Sequence, residues 1–104
     1  MGSREAALAA AAAHLDSGAF EAELARRVAI RSASQEADAG PALQAYLTDE
    51  LVPTLSALGF THTIHANPVP GGGPFLIATR VEDPTRPTVL MYGHGDVIRG
   101  QDAS

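Results

Sequence analysis

The 104-residue sequence contains no cysteine, which rules out disulfides and thiolate metal sites and suits a reducing compartment. Tryptophan is absent too, and three Phe and two Tyr are a thin aromatic supply for a domain of this size. Positive charge is scarce: seven Lys plus Arg stand against twelve Asp plus Glu, for a net charge of −5. Seven scattered cations make no patch able to neutralise a phosphate backbone, so nucleic acid is not an expected partner. No apolar run approaches the roughly 20 residues of a membrane span. The Ala-rich stretch 6–13 follows Arg4-Glu5 and ends at His14 and Asp16. It lacks the strong hydrophobes of a secretory leader and reads as a helix. The expectation is a soluble cytoplasmic protein that engages neither membrane nor nucleic acid.

What is present is enough for one small globular domain. Hydrophobic residues make up 45% of the chain, above the disordered range, although alanine inflates the figure. Alanine, leucine and glutamate predict a first helix over 4–16. Ser17 is placed to cap a second, in which Phe20, Leu24 and Val28 recur every fourth residue. Arg26, Arg27 and Arg31 gather near its C-terminal end, where positive charge suits the helix dipole. The polar, small stretch 32–38 reads as a loop. Pro41 suits the first turn of a third helix, whose stripe is Leu43, Leu47, Leu51, Leu55 and Leu58 with Tyr46 beside it. Pro53 should kink that helix and Gly59 should end it.

Beyond Gly59 the period changes from helical to alternating. Phe60, His62, Ile64 and Ala66 alternate with Thr61, Thr63 and His65, as in a strand. Residues 67–74 read as a flexible Pro/Gly-rich connection, 75–81 as a second strand, 83–87 as a turn, and 88–92 as a third strand. The unbroken apolar run of that last segment predicts burial on both faces, as in the middle of a sheet. Three helices followed by three strands predict an α/β fold, a mixed sheet with helices packed on it. The sequence stops at Gln101-Asp102-Ala103-Ser104 with no closing element, which is expected of the beginning of a larger domain. A third strand without neighbours would expose Val89, Leu90 and Met91, so self-association or a homodimer is expected.

One constellation carries chemistry. In Leu90-Met91-Tyr92-Gly93-His94-Gly95-Asp96-Val97-Ile98 an apolar segment runs into a histidine flanked by glycines, with an aspartate two residues on. Functional groups in α/β folds gather outside the carboxyl ends of strands. Residues two apart in extended chain point to the same side, so Asp96 can reach the His94 imidazole, or both can face one site. Neutral imidazole is a common zinc ligand, and a carboxylate on its other nitrogen fixes the tautomer. The same two residues could equally form a hydrogen-bonded turn.

Other candidates carry less. His62 and His65 are three apart on a strand, on opposite faces, and cannot converge on one ion. His14 reads as a favourable charge at a helix C-terminus. Gly71-Gly72-Gly73 lacks the spacing and the following Lys-Ser/Thr of a phosphate loop. Asp49 and Glu50 read as solvated, and Tyr92 as part of strand packing.

The stretch Val89–Val97 resembles the first metal-binding motif of the M20 metallopeptidases, a family of dipeptidases, carboxypeptidases, aminoacylases and related deacylases. Arg27-Val28-Ala29-Ile30-Arg31-Ser32-Ala33-Ser34 is similar to the family's helix end and loop, with Arg31 where a proline is usual. The Leu-rich helix and the two strands before the motif fit as well. The resemblance implies that His94 ligates one zinc of a two-zinc centre and that Asp96 is the acidic residue that orients it. It implies small peptides or N-acyl amino acids as substrates, cleaved with zinc polarising the amide carbonyl and activating a water. The family's remaining ligands and its catalytic glutamate would lie beyond Ser104, so the chain alone is expected to be inactive. Two other readings remain open: a non-catalytic binding or regulatory remnant, and a structural α/β module in which His94 and Asp96 only stabilise a turn.

Overall fold

A computed structural model of the chain describes residues 2–98, and the closing stretch Gln101–Ser104 lies outside them. The chain divides into two compact units, Met1–Ile30 and Arg31–Ser104. Helices and a small antiparallel sheet make it a mixed α/β structure.

The first unit is a helical hairpin of α1 (Arg4–Asp16) and α2 (Ala19–Val28). Ser3 caps α1 by accepting the Ala6 N–H at 3.1 Å, satisfying a donor that the first turn leaves without a partner. The turn between the helices places Gly18 at φ 84°, a left-handed conformation that glycine adopts without a Cβ clash. Gly18, and not Ser17, is the N-cap of α2. Ser17 closes α1, donating its hydroxyl to the His14 carbonyl at 3.1 Å, and accepts the Ala19 N–H at 3.4 Å. The hairpin's facing polar residues meet at Glu23, which lies 3.3 Å from His14 Nε2 and 3.7 Å from Arg27 Nη2. His14 is thus a partner of a carboxylate as well as a helix-end residue.

In the second unit the region read as one kinked helix over 41–58 is three joined segments. These are α3 (Gly40–Ala45), a π-helical turn (Tyr46–Leu51) and α4 (Val52–Ala57). Pro53 explains the irregularity. It has no N–H to give to the Asp49 carbonyl, and its ring crowds that carbonyl. The chain widens instead, so that Val52 N–H bonds to Leu47 O, five residues back. Thr54 Oγ donates to Glu50 O at 2.8 Å, satisfying a carbonyl in the widened turn. Gly59, at φ 87°, ends the helix as expected, with Phe60 N–H bonded to Leu55 O and Gly59 N–H to Ser56 O.

The strands β1 (Thr61–His65) and β2 (Phe75–Thr79) pair antiparallel, with Thr61 opposite Thr79 and Ile64 opposite Leu76. Ile64, Leu76 and Ala78 are half-buried, and α4 packs on β1. Within the stretch 83–87 expected to turn, Asp83 to Arg86 do so: Asp83 accepts the Thr85 N–H at 2.9 Å and its hydroxyl at 2.7 Å. These bonds, the hydroxyl's foremost, hold the Asp83 carboxyl below its ordinary range.

The third strand does not form. Residues 88–92 belong to no strand, and Val89 to Tyr92 are 80–94% exposed. An apolar run is buried only where a sheet offers it a paired edge and a layer on each face. Among the described residues the sheet has two strands, and neither borders this segment. The enclosed interior is correspondingly small: among the described residues Ala39 and Ser32 alone are buried.

Candidate functional site

Segment 94–97 is docked against segment 32–34, the end of the chain's described part against the start of its second unit. Ala33 and Val97 form a parallel bridge, and Val97 N–H donates to Ser32 O at 3.0 Å. Ser32, 2% exposed, donates its hydroxyl to the Gly95 carbonyl at 2.8 Å. The buried Ser32 hydroxyl gains the bond that its burial demands. The absence of a side chain at Gly95 is also used: a Cβ there would run into the ring of Tyr46, on the π-helical turn.

On this docked backbone the two expected site residues come together. His94 Nδ1 lies 3.0 Å from Asp96 Oδ1 and 3.1 Å from the Asp96 carbonyl oxygen. Asp96 Oδ2 accepts the Ser34 hydroxyl at 2.7 Å. That hydrogen bond foremost, with a further contribution from the adjacent His94 ring, holds the Asp96 carboxyl below its ordinary range against the opposing effect of desolvation. An ionised carboxylate only accepts, so Nδ1 carries the proton that points at it. In the neutral ring Nε2 then presents its lone pair. The His94 side chain is 67% exposed, which leaves that lone pair accessible from solvent.

His62 and His65 lie on β1 with their side chains on opposite faces, as expected, and His14 pairs with Glu23 in the first unit. Among the described residues no group of three or more His, Asp or Glu side chains is gathered where a metal ion could be held. His94 can therefore supply one coordination position, with Asp96 behind it.

Sequence reasoning missed Ser32 and Ser34, treating 32–38 as an undifferentiated loop. The local signal was two hydroxyl donors two positions apart, which by itself names no acceptor.

Ser34 also stands at the rim of an open cleft of about 460 Å³ between the start of α3 and the loop 66–74. Glu36, Leu43, Gln44, Asn67 and Gly72 line it. Asn67 is engaged in shaping the loop: it donates to Gly73 O at 3.0 Å and accepts the Val69 N–H at 2.8 Å. The glycine-rich stretch, expected to be a flexible connection, is held in a defined turn by these two bonds.

The chain matches no known protein family, no curated protein and no solved structure.

Proposed function

We propose that this chain contributes one ligand, His94, to a zinc centre of the M20 metallopeptidase type, in an enzyme that cleaves amide bonds of small peptides or N-acyl amino acids. The observation that carries the reading is the 3.0 Å contact between His94 Nδ1 and Asp96 Oδ1. Metal-ligating histidines generally give their second N–H to a carboxylate, carbonyl or water, and His94 is disposed in that way. Its Nε2 is the ligand atom, and Asp96 keeps the ring in the tautomer that frees it. Zinc bound there supplies Lewis acidity toward an amide carbonyl and a bound water of lowered pKa.

A catalytic zinc site takes about three protein ligands and a water. With one imidazole on offer, the chain by itself binds zinc weakly and hydrolyses no dipeptide or N-acyl amino acid. A cysteine-free sequence fits the cytoplasm as its setting, and no helix among the described residues is long and apolar enough to cross a membrane.

Zinc titration of the purified chain tests the reading. The His94 Nε2 resonance moves on addition of metal, and calorimetry finds affinity weaker than about 1 μM, short of the roughly 10 kcal/mol of complete structural sites. Zinc that leaves the His94 ring unperturbed removes the reading. Hydrolytic turnover abolished by His94→Ala would show that the chain completes a site unaided. A second reading, a module in which the pair only stabilises a turn, draws on the local character of His94's polar contacts, both of them with Asp96. It predicts the unperturbed ring.

A further inference from the structure

We propose that Ser34 is a positioning residue for the His94 imidazole, acting through Asp96, and that Ser32 fixes the backbone on which both groups stand. The inference rests on the reading of His94 as a zinc ligand and assigns the loop 32–34 to the same site.

The Asp96 carboxylate has a different partner at each oxygen: Ser34 Oγ at Oδ2, 2.7 Å away, and His94 Nδ1 at Oδ1, 3.0 Å away. A carboxylate held at one oxygen swings readily, because the terminal torsion of an aspartate is broad. Held at both, it presents Oδ1 in one direction and sets the plane of the ring that donates to it. Serines in turns usually bond to backbone groups nearby. The Ser34 hydroxyl reaches instead to a carboxylate 62 positions away.

The main chain around Asp96 is fixed from the same segment. Ser32 Oγ holds the Gly95 carbonyl on one side of Asp96, and Ser32 O takes the Val97 N–H on the other. Ser32 and Ser34 meet the adjacent residues Gly95 and Asp96, so a one-residue slip of segment 32–34 would break both hydroxyl contacts. Ser34 acts through the Asp96 carboxylate. Its effect is to choose which nitrogen of His94 carries the proton and where the other one points.

The test uses the full chain, free of metal, with its histidine rings labelled with ¹⁵N. Two-bond proton–nitrogen spectra at pH about 8, above the range in which imidazoles generally protonate, report the ratio of Nδ1–H to Nε2–H forms. The native chain shows His94 mainly as Nδ1–H. In Ser34→Ala the ratio falls roughly threefold to tenfold, the scale of one ordinary net hydrogen bond, since the effect reaches the ring through Asp96. Ser34→Thr, which keeps the hydroxyl, holds the native ratio. A Ser34→Ala chain with the native ratio and an intact β1–β2 ladder overturns the proposal. So does a native chain with Nε2–H, or a folded Ser34→Thr chain that has lost the native ratio, and these two outcomes decide the matter if Ser34→Ala fails to fold. Failure here is distinct from failure of the zinc reading. Zinc bound through His94 with a tautomer indifferent to Ser34 overturns the clamp alone, whereas a responsive tautomer without zinc binding leaves the clamp and removes the metal.

Discussion

Replacing Gly95 with alanine perturbs the docking of segment 94–97 at one point. The added Cβ would meet Tyr46 Cζ at 2.9 Å and two other ring atoms closer still. Contacts this short do not persist, so either the ring or the docked segment has to move. Overpacking of this kind costs about 1–3 kcal/mol. The segment is held on its neighbour by two bonds to Ser32 and one to Ser34, at about 1 kcal/mol each. The clash is therefore comparable to the whole attachment, so the undocked state competes with the docked one. Amide exchange at Val97 should accelerate roughly fivefold to hundredfold, the same energy range expressed as an opening equilibrium. Residues of the β1–β2 ladder should keep their native exchange rates. Tyr46→Ala removes the obstacle, so Gly95→Ala made in that background should cost little, and the coupling between the two changes should approach the full single-mutant penalty. Native protection at Val97 in Gly95→Ala, or equal penalties in both backgrounds, would refute the reasoning.

Two further outcomes follow from other parts of the chain. The exposed run Val89–Tyr92 presents four adjacent large apolar side chains, a surface that favours association between copies. The native chain should elute with a concentration-dependent size and Leu90→Lys should shift it toward the monomer; a concentration-independent native monomer would contradict this. The Asp83 carboxyl is lowered first by the Thr85 hydroxyl and then by the Thr85 N–H. A lowered folded pKa adds stability above the ordinary carboxylate value of about 3.9, lost as pH falls through the folded value. The 83–86 turn should therefore be insensitive between pH about 5 and 7 and loosen only under stronger acid. A carbon-detected titration of Asp83 with a midpoint at or above the ordinary value would sink the argument, and Thr85→Ala should raise the midpoint.

The elements that could be read from the sequence are those set by local chemistry. Gly59 ends its helix because a left-handed residue is needed there, and glycine is the residue that adopts it freely. The alternation at 61–65 became β1, and Asp83 to Arg86 became a turn through its own side chains. Pro53 announced an irregularity, but its form, a π-helical turn, depends on how displaced carbonyls find new donors several residues away. The third strand was misread for the opposite reason. Its apolar run is a statement about affinity for an interior, and an interior is a property of neighbours that the segment does not contain. For the site, the spacing of His94 and Asp96 fixed their contact, since both belong to one short extended stretch. Ser32 and Ser34 were invisible as partners because their contacts span more than 60 positions, and only the fold sets that distance to zero.

That separation has a kinetic meaning. Bringing residue 32 to residue 95 closes a loop of 63 residues, at an entropic cost of roughly 3–4 kcal/mol for a flexible chain. The helices and the β1–β2 hairpin, whose contacts are nearer in sequence, shorten the effective loop once they form, so the closure is favoured after them. The docking of the His94–Asp96 stretch on Ser32 and Ser34 is then assembled last during folding and released first during partial unfolding. An agent that captures His94 only in its oriented form acts as a latch on this closure. Its apparent affinity is lowered by the fraction of molecules in which the loop is open, and its binding slows the loop's reopening.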